Sequence, residues 1–248
     1  MTSDSFARMP AWCMILVAIL SASGFAAGPD AAAVIANAVN TFAGVKDFTA
    51  TLEAEIHMER VQIPRMNATM YFKKPDKVHF ESTQFLMMPR EGVAMNPAVL
   101  QERYVPSSIV SDTADGRPVY KLLLAAKESS ARLRQMYVWI DPANWTVVKV
   151  QTVPYEGRTL TLIFRYALID NAYWLPSELV ATYGTTAPEE KSRNDLLDMK
   201  SDMMDETRRS FMRSGSITVF YTDYKVNTGL SDSIFEKNNQ DATQKDAH

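Results

Sequence analysis

From Phe48 to Met58 apolar and polar residues alternate without a break: Phe48, Ala50, Leu52, Ala54, Ile56 and Met58 against Thr49, Thr51, Glu53, Glu55 and His57. Successive side chains of a strand point to opposite faces, so a period of two sustained over this length predicts a long β-strand with one dry and one wet side. Met66, Ala68, Met70 and Phe72 repeat the pattern, and residues 78–82 supply a third strand after the turn at Lys74-Pro75-Asp76. These three strands read as an antiparallel meander.

Further strands are expected over 108–112 and 118–126 around Asp115-Gly116, over 133–140 and 146–153 around Asp141 to Asn144, over 158–168 and 173–183 across Asp170-Asn171, and over 216–226. Regular strands punctuated by turn residues describe a meander or barrel rather than alternating β and α units. The fold class is therefore mainly β, with a few helices added. Ahead of the sheet, Asp30 can cap a helix whose apolar residues Val34, Ile35, Ala38, Val39 and Phe42 recur at helical spacing, with Gly44 placed to end it.

Two segments break the strand pattern. Residues 84–100 hold Phe85, Leu86, Met87, Met88, Val93, Met95, Val99 and Leu100 but are interrupted by Pro89, Gly92 and Pro97, which predicts an apolar loop with short helical turns. Residues 187–213 place Leu196, Leu197, Met203, Met204 and Phe211 on one helical stripe and Asp195, Asp198, Asp202 and Asp205 on another, which predicts an amphipathic helix with a solvated acidic face.

At the N-terminus Arg8, the apolar run 11–20 and the small residues Ser21-Ala22-Ser23-Gly24-Phe25-Ala26-Ala27 have the order of a cleavable export signal, expected to cover residues 1–27. A membrane span needs roughly 20 apolar residues, about twice this run. One domain is expected over 28–237, with a disordered polar tail over 238–248. The single cysteine, Cys13, falls inside the signal, so disulfides, thiolate metal sites and cysteine nucleophiles are excluded from the domain.

A net charge of −3 without any basic block gives no electrostatic footprint for nucleic acid. The histidines are His57, His79 and His248, and no metalloprotease helix, nucleophile elbow, phosphate-cradling loop or dinucleotide fingerprint occurs. Glu53, Glu55 and Glu59 read as a solvated face. No catalytic residue, metal ligand or cofactor is expected, and the chain is not expected to be an enzyme. What stands out is apolar surface, with fourteen methionines in the chain. The dry sheet face, the apolar loop and the two helices hold more of it than one sheet face needs. They either fill the sheet as a solid core or form a wall able to repack around ligands, a use to which methionine is suited.

Tyr71-Phe72-Lys73-Lys74-Pro75-Asp76-Lys77-Val78-His79-Phe80 resembles the strand, Lys/Arg-Pro-Asp turn and strand near the start of the LolA/LolB-like periplasmic lipoprotein carriers and their outer-membrane lipoprotein-sorting relatives. Val138 to Pro142 and Val147 to Val150 are similar to their central hairpin, and Tyr221 to Asn227 with Ser233 to Glu236 to their closing strand. The resemblance implies a strongly curved antiparallel sheet, an incomplete, half-open barrel covered by an N-terminal helix, an apolar loop and a late amphipathic helix. It further implies a periplasmic monomer in a Gram-negative envelope that carries the acyl chains of a lipid or lipoprotein from an inner-membrane donor to an outer-membrane acceptor. Under that reading the cavity wall is Phe48, Leu52, Ile56, Met70, Phe72, Phe80 and Phe164, and Met87, Met88, Met95, Leu197, Met204 and Phe211 form a lid. The rival reading is an envelope-stress sensor of the same fold that binds a protein partner.

Overall fold

A computed structural model of the chain describes residues 29–58, 61–82, 96–129, 133–152, 158–185 and 215–236. The expected export signal, the helix over 187–213, the polar tail, most of the apolar loop and all six lid residues lie outside them. Eleven strands form one antiparallel sheet: β1 (Asp47–Met58), β2 (Val61–Gln62), β3 (Met66–Lys73), β4 (Lys77–Glu81), β5 (Tyr104–Ala114), β6 (Arg117–Ala126), β7 (Gln135–Asp141), β8 (Thr146–Thr152), β9 (Arg158–Ile169), β10 (Tyr173–Thr185) and β11 (Gly215–Val226). Their order is β4-β3-β1-β11-β10-β9-β8-β7-β6-β5, with β2 folded back on β1. The first strand of the chain thus lies beside the last, Leu52 opposite Tyr221, while the two sheet edges, β4 and β5, do not pair.

The turn chemistry explains the hairpins. Asp115 and Gly116 have φ of 48° and 74°, and Asp170 and Asn171 have 52° and 53°, the left-handed pair of a type I′ turn whose twist matches that of the strands it joins. Two of the three prolines inside the described strands fall at register shifts, where a ladder donor is not needed. Pro106 sits at a register shift in the edge strand β5. Pro176 sits at another in β10, outside the stretch that pairs with β11, where its carbonyl accepts a 2.6 Å bond from the Tyr224 hydroxyl.

The alternation of β1 decides which side is dry. Ala50 and Leu52 pair with Met70 and Ala68 on β3, and all four side chains are buried. The main core continues across Ile217 and Val219 of β11, Leu175 and Leu179 of β10, Leu162 and Phe164 of β9, Val147 and Val150 of β8, Val138 and Ile140 of β7, and Leu122 and Leu124 of β6. Phe80 from one edge strand and Ile109 from the other pack on this same cluster. The sheet is therefore curled into an unclosed half-barrel with its apolar face inside.

Helix α1 (Ala31–Thr41) lies on the concave side, buried through Val34, Ile35 and Ala38. Asp30 caps it by accepting from the Ala32 amide at 3.2 Å. Gly44 does not end the helix as expected: α1 stops at Thr41, and Gly44 is not in the left-handed region. The Lys74 ammonium caps the end instead, donating to the carbonyls of Phe42 and Ala43 at 2.9 Å each. What Gly44 supplies is room, since a Cβ there would lie 3.1 Å from the Tyr173 ring.

Helix α2 (Pro97–Arg103) starts inside the segment expected as a punctuated loop, with Asn96 as N-cap and Pro97 in its first turn. Asn96 Nδ2 donates to the Pro75 carbonyl in the β3–β4 turn, and Lys127, just past β6, donates through Nζ to the Gln101 carbonyl at 2.9 Å. The helix is thereby tied to both sides of the seam between the unpaired edges.

Candidate functional site

The seven residues expected to line a cavity share the concave face. Phe48, Leu52, Met70, Phe72 and Phe164 are buried in the main cluster, and Ile56 and Phe80 are partly buried against it. Strand period puts them there: Phe48, Leu52 and Ile56 are on the even side of β1, and the β3 register sets Phe72 opposite Phe48 and Phe80 opposite Met70.

An aromatic stack anchors this side. Phe72 lies 5.0 Å from Phe48 in a stacked arrangement and 5.7 Å from Phe42 edge-on, while Tyr224 meets Phe48 edge-on at 5.4 Å. Burial pushes the hydroxyls of Tyr166, Tyr221 and Tyr224 well above the ordinary tyrosine pKa, so each stays protonated. Tyr166 donates to the Val147 carbonyl at 2.9 Å.

The polar candidates separate. His79 stands opposite Tyr71, in register with Thr49 near the start of β1, whereas His57 is near the other end of β1, opposite Ser216. The two imidazoles cannot share a metal or a proton. Arg65 pairs with Glu53 at 2.7 Å and Glu55 at 2.5 Å on the outer side, which is the solvated face expected of those two carboxylates; Glu59 lies outside the described residues. Among the described residues, no group of three or more acidic, histidine or cysteine side chains could hold a metal ion, and no helix is long and apolar enough to cross a membrane.

Sequence reasoning missed a second feature. Strands β8 and β9 pair only through Lys149–Ile163, Val150–Leu162 and Gln151–Thr161. Beyond that point β8 stays with β7 and β9 with β10, so the sheet opens into a slot spanned by the Tyr166–Val147 bond. A cleft of about 750 Å³ occupies this region. Its walls include Phe164 and Tyr166 from the main core and Trp139, Lys121 and Lys149 from the outer face.

Trp139 is buried there with Val119 and Val148 in a small cluster separate from the main core. Its Nε1 donates to Asp112 Oδ2 at 2.8 Å. That bond, helped by the Thr113 amide and by the nearby charges of Lys121 and Lys149, holds the Asp112 carboxyl below the usual aspartate range. The signal that could have revealed the site is a lysine directly opposite Trp139 on each neighbouring strand, which becomes visible only once the register of β6, β7 and β8 is known.

No protein-family model matches the chain, and no curated protein does. Among solved structures it is similar to a domain from Vibrio parahaemolyticus described as that of an outer membrane lipoprotein-sorting protein, with a TM-score of 0.60 at 14% identity over 84% of this chain and 97% of that one. A DUF1329 family protein from Desulfovibrio piger matches with a TM-score of 0.55 at 11% identity, and a LolA superfamily protein from Nitrosomonas europaea with 0.50 at 13%, each again over 84% of this chain and 97% of the other. At such identities the likeness is one of fold, and the fold is LolA-like.

Proposed function

We propose that the chain is a periplasmic carrier whose concave face receives the acyl chains of a lipid or lipoprotein and shields them between membranes. The observation that carries this reading is the single apolar face running from Phe80 on one edge strand to Ile109 on the other, inside a LolA-like half-barrel that stays open between β4 and β5. Burial of each methylene is worth roughly 0.8 kcal/mol, so an acyl chain does not cross water unprotected, and a curved apolar wall offsets that cost without any chemical step. Phe48, Leu52, Ile56, Met70, Phe72, Phe80 and Phe164 are the proposed wall. Release then requires only an acceptor of higher affinity.

Burial decides which of these residues can be tested. Leu52 and Phe72 are 0% and 1% exposed, so a charge at either disrupts the core itself. Ile56 and Phe80, partly exposed at its margin, can be altered with the centre intact. Purification under native conditions, solvent extraction and mass spectrometry should find bound lipid. The protein should also take up a fluorescent fatty acid, and Ile56→Glu or Phe80→Glu should weaken that uptake while the circular dichroism spectrum is unchanged. Absence of both lipid and uptake refutes the reading.

A further inference from the structure

On the outer face one register row crosses five strands. Val110 stands opposite Lys121, Lys121 opposite Trp139, Trp139 opposite Lys149, and Lys149 opposite Ile163. The apolar ends of the row are open to solvent, Val110 at 54% and Ile163 at 36% exposure. In the middle, the ammonium groups of Lys121 and Lys149 lie 5.0 Å and 4.4 Å from the Trp139 ring centroid, and Lys121 is also 4.6 Å from that of Tyr137. A cation over a ring face keeps its charge and most of its donors for another partner.

The neighbouring arginines are already engaged. Arg117 is paired with Asp141 at 2.9 Å and Arg165 with Glu178 at 2.7 Å. Asp112 accepts from the Trp139 indole and from the Thr113 amide. Among the described residues, neither Lys121 nor Lys149 forms an ion pair with a carboxylate. Asp115, on the β5–β6 turn, also lines the cleft and with Asp112 balances the two ammoniums, so it is the placement of both ammoniums over one ring face, not a net charge, that suits an anion.

We propose that this cleft binds a phosphodiester-bearing amphiphile. The phosphate sits between Lys121 and Lys149 over the indole, and the apolar part lies on Val148 and Ile163 on the outer face of the slot. The indole is a platform rather than a donor to the ligand, because Asp112 occupies its N–H. Asp112 is a positioning residue: its bond from the indole N–H fixes the ring plane. Lys121, Trp139 and Lys149 are on the side of the sheet opposite to Leu122, Val138 and Val150 of the main core, so the site stands whether or not the concave face carries lipid.

Calorimetric titration of the full chain with dihexanoyl phosphatidylglycerol, kept below its micelle concentration, tests this, with dihexanoylglycerol as the phosphate-free control. A saturable phospholipid site that dihexanoylglycerol neither fills nor displaces is expected, apart from any acyl-chain uptake by the concave face. In K121M/K149M, which keeps stems over Trp139 but removes both charges, affinity should fall at least about tenfold through loss of charge-assisted contacts. K121R/K149R should retain it. Dimethyl phosphate distinguishes the source: comparable affinity assigns the site to the free anion, and much weaker affinity to the lipid headgroup. Equal binding by wild type and K121M/K149M, equal loss in the methionine and arginine variants, or no binding of either phosphodiester overturns the proposal.

Discussion

Replacing Phe72 by Ala probes the packing on which the concave side rests. The side chain is 1% exposed and its ring contacts two others, Phe48 stacked and Phe42 edge-on. Truncation of a buried phenylalanine costs about 3–5 kcal/mol, since the lost transfer free energy is joined by the cavity left behind. Each ring pair adds about 0.5–1.5 kcal/mol beyond area, so the loss of two places Phe72→Ala at the top of that range, near 5 kcal/mol. Phe42 is 9% exposed, caps the end of α1 and makes one of these ring pairs. Phe42→Ala should therefore cost about 3 kcal/mol, and the double variant about 1 kcal/mol less than the sum of the singles. Urea unfolding followed by circular dichroism reads each value from the shift in midpoint, provided the slope is unchanged. A loss below about 2 kcal/mol for Phe72→Ala, or coupling indistinguishable from zero, would refute the conclusion that this ring pair seats α1 on the sheet.

Two further outcomes follow from the same geometry. Gly44→Val should destabilise by about 1–3 kcal/mol in the same urea assay, because its branched side chain has to displace the Tyr173 ring that a lone Cβ already approaches at 3.1 Å. Tyr166, Tyr221 and Tyr224 all titrate later in the folded than in the unfolded chain. Their contribution to stability is thus intact below the unfolded pKa of about 10 and is lost as pH rises beyond it, at up to about 4 kcal/mol per pH unit for the three together. An alkaline titration of phenolate absorbance should show a late group that ionises together with loss of structure. Titration of all ten tyrosines near the ordinary value with the fold intact would contradict this burial.

Where the chemistry is local, the sequence was a sufficient guide. The alternation in β1 and β3 set strand, length and dry face at once, and the Asp115-Gly116 and Asp170-Asn171 turns marked their hairpins because few residues accept positive φ. The seven residues proposed as a wall could be assigned to one face because period two leaves no third choice. Strand β5 extends beyond the expected 108–112 to Tyr104–Ala114, because Pro106 breaks the local pattern and only edge placement makes it tolerable. The two-residue β2 is too short to leave any periodic signal. The pairing of β1 with β11 and the Lys121-Trp139-Lys149 row depend on register between strands that are not read from any one stretch of chain. Phe164 shows both cases: its inward direction is periodic, but its place in the β8–β9 slot is set by how soon two strands part.

The juxtaposition of β1 and β11 has a consequence for how the chain reaches its final state. As a polypeptide emerges N-terminus first, β1 can zip against β3 at once, but its other edge remains bare until synthesis has passed β11. Contacts between such distant segments carry a large loop-closure cost and form late. The half-barrel therefore cannot be completed piecemeal: Leu52 and Ala54 lack their second strand until Tyr221 and Val219 arrive. An incomplete chain exposes an unpaired edge and part of the apolar face, the kind of surface that proteases and holding chaperones recognise.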